Sequence, residues 1–245
     1  MKINIIIMRK LSLVILVLLF ISCKKEDVQL PKTNASVMTE ILDHSPIYMF
    51  FRVEDNDTIA EVNAKNSIST TNWIFNIDKR LPLDLVIPEV KYLQKKKKQA
   101  SHKNEAAINV FSYADSTKQN LAFLPFTEVQ YKYDNNFSKF YIKEHADLYS
   151  AYNNLTINFN HENKITVDGN DISREELVDF IKDFSDFMSD GKITIIHLNF
   201  DKRLSFDHYI QDKILAWQLT SNTIQLSSYE FIYDLDKLPE CGCKL

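Results

Sequence analysis

The sequence predicts an α+β protein of two tandem ββαβαββ units, the first lacking most of its first helix. Three observations lead there. Residues 75–90 (FNIDKRLPLDLVIPEV) and 198–213 (LNFDKRLSFDHYIQDK) align without gaps at an offset of 123, with identities at Asn76/Asn199, Asp78/Asp201, Lys79/Lys202, Arg80/Arg203, Leu81/Leu204, Asp84/Asp207 and Ile87/Ile210. Such a period is far too long for a solenoid and reads as a duplicated domain. Around each copy, short segments of period two alternate with segments of period 3.6, the patterns of strands and amphipathic helices. The composition, 45% hydrophobic and 25% charged, is that of an ordinary folded chain.

Residues 1–22 read as an address rather than as fold. Met8-Arg9-Lys10 supplies positive charge, and the apolar run Leu11–Ile21, short for a spanning helix, ends at Ser22-Cys23, the layout of a secretory signal. A Cys after a small residue directly behind such a run resembles the lipobox of bacterial lipoproteins, which implies a lipid on Cys23. The competing reading is a retained single-pass anchor. Lys24-Lys25-Glu26-Asp27 resembles the Lys-then-acids signal of some Gram-negative surface lipoproteins, or is the solvated start of a tether over 23–45.

The first unit spans 46–133. Ile47–Val53 and Thr58–Val62 make a hairpin and Trp73–Ile77 a central strand, while 64–72 (AKNSISTTN) carries no apolar face for a helix. A helix follows from Pro82, kinked at Pro88 or starting there. Phe126–Tyr131 parallels Ser228–Tyr233, which leaves a polar excursion around 95–120 with one added strand at Asn109–Tyr113. Phe137, Phe140, Tyr141, Leu148, Tyr149 and Tyr152 then recur at helical spacing, predicting a connecting helix over 134–153.

The second unit spans 154–238. Leu155–Phe159 and Lys164–Val167 flank a His161-Glu162-Asn163 turn, and Ser173 with Glu176 forms a capping box ahead of Leu177, Phe180, Ile181, Phe184 and Met188. Gly191 ends that helix. A strand over 193–200, the Asp201-Lys202-Arg203 turn, a helix from about 205 to 218 and two short strands, Ile224–Leu226 and Tyr229–Tyr233, complete the unit before a tail at 239–245.

Charge and glycine content exclude several functions. Only three glycines occur, against about 17 at a typical share near 7%. A P-loop, a GxGxxG turn and a GxSxG elbow each need glycine backbone and cannot be assembled. The formal charge of −4 becomes −7 once Lys2, Arg9 and Lys10 leave with the signal, the wrong sign for nucleic acid. No catalytic constellation, metal-ligand spacing or cofactor motif stands out, so the expectation is a non-enzymatic protein with no cofactor.

The second unit resembles the periplasmic domain of the ExbD/TolR family of biopolymer-transport proteins, and the first does so more weakly. The resemblance is carried by Ile165-Thr-Val-Asp-Gly169 before a helix, the strand ending in Asp201-Lys202, Phe206-xx-Tyr209-Ile210 opening the next helix, and Ile224-Gln-Leu226. It implies a dimerising α+β domain working beside an ExbB/TolQ-like channel and passing energy to a TonB or Tol–Pal system. Family members carry a membrane helix with an aspartate used in proton flow, whereas Leu11–Ser22 has no carboxylate. What transfers is a binding or scaffold module on a lipid anchor, with envelope proteins or peptidoglycan as partners, at the periplasmic face or the cell surface. Because the domain is duplicated, one chain can supply both halves of the pair, giving a monomer with an internal pseudo-dimer. A solute-binding or hydrolytic lipoprotein with its site between the units is the alternative.

The candidate partner-binding residues are the repeated turns Asp78, Lys79, Arg80 and Asp201, Lys202, Arg203, which could grip an anionic or peptide partner. The plainer reading is that each Asp caps its turn with Lys and Arg solvated. The six histidines are expected to be packed or hydrogen-bonded, with His197 and His208 near the second turn. Lys95-Lys96-Lys97-Lys98 reads as a solvated helix end suited to the helix dipole, or as a phospholipid patch. Cys241 and Cys243 could close a small strained disulfide ring that ties the tail, or act in redox exchange.

Overall fold

The computed structural model describes residues 27–134, 136–188 and 190–238, so Cys23, Cys241 and Cys243 lie outside the described residues. Two six-stranded mixed sheets share the chain. The first contains β1 (Lys32–Thr33), β2 (His44–Glu54), β3 (Asp57–Asn63), β4 (Asn72–Ile77), β5 (Asn109–Asp115) and β6 (Asn120–Pro125), with α1 (Leu83–Lys98) between β4 and β5. The second contains β7 (Gln130–Asp134), β8 (Asn153–Phe159), β9 (Ile165–Val167), β10 (Asn170–Ile172), β11 (Thr194–Asp201) and β12 (Ile224–Tyr233). In it α4 (Leu177–Met188) precedes β11, and α5 (Phe206–Trp217) links β11 to β12.

The duplication is visible in the strand orders. The first sheet reads β3-β2-β4-β5 and the second β9-β8-β11-β12, each with three parallel strands and an antiparallel hairpin partner on β2 or β8. Parallel neighbours require a crossover, which α1 and α5 supply. No helix intervenes between β3 and β4, since 64–71 forms turns.

Five sequence expectations are corrected. Asn109–Asp115 is no added strand: β5 occupies the place of β12, so Phe126–Tyr131 and Ser228–Tyr233 are not equivalent. Gln130–Asp134 leaves the first unit and pairs in parallel with Tyr229–Tyr233 at the edge of the second sheet, so the first unit ends before residue 130 rather than at 133. The two closing strands are one, with a register shift opposite Ile196 to Leu198. The connecting helix is two short pieces, α2 (Ser138–Glu144) and α3 (Ala146–Tyr149), because Phe137 and Tyr141 pack onto Tyr233, Tyr229 and Phe231 of β12 and hold the chain to the sheet. The tether, finally, is partly fold. Lys32–Thr33 pairs beside Ala114–Asp115, Met38 bridges Phe123, and Lys79 N–H donates to the Gln29 carbonyl at 2.8 Å. These bonds are made by backbone, which hydropathy does not report.

Local chemistry fixes the remaining details. Asp168 and Gly169 both take positive φ (48° and 88°), the requirement of the two-residue turn joining β9 to β10. Glu176 N–H donates to Ser173 Oγ at 3.3 Å, one half of the capping box, while the Glu176 carboxylate accepts from the Ser173 hydroxyl at 2.6 Å. Pro88 lies within α1 and has no N–H for the Asp84 carbonyl. That carbonyl instead accepts the Tyr133 hydroxyl at 3.4 Å.

Candidate functional site

The repeated Asp-Lys-Arg turns sit where the two units meet. Leu83 N–H donates to Leu204 O (3.0 Å) and Phe206 N–H to Leu81 O (2.8 Å). Asp84 N–H donates to Lys202 O (2.8 Å) and Asp207 N–H to Lys79 O (3.0 Å), around an antiparallel bridge between Pro82 and Ser205. Every bond has its mate at the repeat offset and Pro82/Ser205 is its own mate, so the seam is built as an isologous dimer contact within one chain. One continuous core runs through it, containing Leu81, Leu83, Leu204 and Phe206. The Phe111 ring of β5 meets Phe206 of α5 at 5.3 Å.

Each Asp of the repeat is buried and holds its own Arg. Arg80 Nε and Nη2 both donate to Asp78 at 2.8 Å, and Arg203 reaches Asp201 at 3.1 and 2.9 Å. Burial pushes these carboxyls up, but bonds from the Arg side chains and backbone, with Gln29 N–H on Asp78 and His161 on Asp201, outweigh it and hold both below the ordinary aspartate range. Lys202 is bound to Asp234 at 2.6 Å. Each Asp thus caps its turn, while Arg80, Arg203 and Lys202 are held in ion pairs rather than left to solvent.

The units differ around this shared frame. Beside Asp201, His161 Nδ1 lies at 2.8 Å, and a cavity of about 310 Å³ is lined by both residues with Asn158, Thr166 and Tyr233. Within the second unit, a wholly buried chain links Tyr131 of β7 to the Tyr209 hydroxyl (3.1 Å), Tyr209 to Glu230 (2.7 Å), and Glu230 to the Lys213 ammonium. Tyr131 also borders a larger cleft of about 600 Å³ between the C-terminal half of α1 and the loops preceding β5 and β7. Five lysines line it, Lys91, Lys95, Lys97, Lys98 and Lys103, against Glu105 and Glu128.

Lys97 departs from the expected solvated run. It is 7% exposed, whereas Lys95, Lys96 and Lys98 are exposed. Its ammonium contacts Asn109 Oδ1 at 2.9 Å and the Ile108 carbonyl at 3.4 Å, and lies 5.0 Å from the Trp73 ring centroid. Burial lowers its pKa to about 8. The signal was present in the sequence: Val86, Val90, Leu93 and Lys97 follow at helical intervals, so Lys97 falls on the buried stripe. His197 is packed as expected, with Nε2 at 3.0 Å from Asn154 Oδ1, while His208 heads α5, its N–H bonded to Ser205 Oγ.

No family model matches the chain, and comparison with curated proteins and with solved structures likewise gives no match. Among the described residues no helix is long and apolar enough to cross a membrane.

Proposed function

We propose that this is a non-catalytic, lipid-anchored cell-envelope protein whose two ExbD/TolR-like units, fused as an internal pseudo-dimer, bind protein partners or peptidoglycan in a biopolymer-transport or envelope-maintenance system. It has no proton-channel activity of its own. The observation that carries this reading is the reciprocal ladder at Pro82–Ser205, which pairs two copies of one small α+β unit as a dimerising domain would pair across chains. The apolar packing of the seam favours it over a solute or substrate site at the ladder itself, where Leu81, Leu83, Leu204 and Phe206 fill the contact. Anchoring rests on the lipobox, and Cys23→Ala is expected to release the protein from the membrane or leave it unprocessed. Cross-linking in intact envelopes followed by affinity capture should recover TonB/Tol-type components or cell wall. Recovery of neither, under conditions that capture an ExbD or TolR protein, would overturn the assignment.

A further inference from the structure

Each unit buries one lysine near an aromatic ring. Lys213 lies 5.6 Å from the Tyr209 centroid and is neutralised by Glu230. Lys97 lies 5.0 Å from the Trp73 ring centroid, but its contacts are neutral acceptors and no carboxylate pairs with it among the described residues. A buried ammonium without a counter-ion is costly, and protein interiors ordinarily pair such charges. This one lines a cleft roomy enough for a small organic molecule, rimmed by four further lysines in a chain of net negative charge. Of the two glutamates there, Glu105 is engaged by Lys103 at 2.8 Å.

We propose that the cleft between α1 and the loops preceding β5 and β7 binds a small polyanion, a molecule or chain terminus bearing two or more carboxylate or phosphate groups, which supplies the counter-charge missing from Lys97. Asn109 and Trp73 hold the ammonium in place, so the anion meets a fixed cation, with the exposed Lys95 and Lys98 adding attraction at the mouth. The inference is independent of the envelope assignment, because it rests on Lys97 and the cleft it lines and not on how the chain is anchored.

Trp73 reports on the site. In the full chain carrying Trp217→Phe, Trp73 is the sole tryptophan, and its emission can be followed while pyrophosphate or citrate is added against sodium chloride of matched ionic strength. A saturable change is expected with at least one polyanion and not with chloride; stronger binding of pyrophosphate assigns phosphate, of citrate carboxylate. Lys97→Met is expected to weaken binding at least about tenfold. Lys95→Ala with Lys98→Ala, both at exposed positions that leave the core intact, should weaken it about threefold, with a shallower salt dependence. No saturable change with either polyanion, or unaltered affinity in either variant, overturns the proposal.

Discussion

His197 shows how one buried side chain sets a pH dependence. It stands at the centre of the second sheet with no exposure, and its Nε2–H is satisfied by Asn154 while Nδ1 has no partner among the described residues. Protonation would add a second buried N–H with nothing to receive it, and burial lowers the pKa from 6.5 to about 4. The unfolded chain therefore takes up the proton first. The stabilising contribution is complete above pH 6.5 and is lost as pH falls toward 4, amounting to about 3 kcal/mol. Asp212 acts in the same window with opposite sign: burial raises its carboxyl to about 7 despite Arg174, so the native state holds that proton and loses stability as pH rises from 4 to 7. Denaturant titrations across pH 4–7 should show a weaker gain of stability with pH in His197→Gln and a steeper one in Asp212→Asn. A parental slope in both would contradict the two assignments.

At the scale of elements, backbone groups decide what hydropathy leaves open. The helical spacing of α4 and α5 and the hairpin of β8 with β9 were legible, because apolar periodicity and turn residues are local. Strand partnership was not: nothing in Gln130–Asp134 marks it for the second sheet, and nothing in Gln29–Met38 marks it as more than a tether. Pro88 is intermediate, since its position is plain but the remedy, Tyr133, is 45 residues away. Tyr133→Phe should cost about 1 kcal/mol, and less in a Pro88→Ala background, where residue 88 regains an N–H for Asp84. Equal costs in the two backgrounds would show that the hydroxyl does not serve that carbonyl. The leader strand yields a larger effect. Deleting residues 1–38 removes the bonds of Gln29, Pro31 and Thr33 to Lys79, Ala114 and Ser116 and that of Lys32 N–H to Asp207 of the other unit. A loss of about 3–5 kcal/mol in chemical denaturation is expected relative to a chain starting at 27, at about 1 kcal/mol for each bond. Equal stability of the two chains would mean that the strap is ornamental.

For the whole molecule, the repeat read from seven identities is the seam itself. Asp78, Lys79, Arg80, Asp201, Lys202 and Arg203 form the motif that the sequence offers for binding a partner; the Lys79 and Lys202 carbonyls accept from the other copy, while each Asp holds the Arg of its own turn. An isologous contact is self-complementary, so a single unit keeps everything needed to pair with a second copy of itself. A chain of residues 27–238 satisfies this internally and should be monomeric in light scattering. A chain of residues 128–238 retains β7 as the neighbour of β12, yet loses the first-unit ladder and leaves Leu204, Phe206 and Tyr209 uncovered. It should form a dimer through the Leu204–Phe206 segment. Leu204→Lys should abolish that dimer, while in 27–238 the same change, placing a charge in the core at the seam, should lower stability by several kcal/mol. A folded monomer from 128–238, together with a dimer from 27–238, would show that the units are not each other's partners.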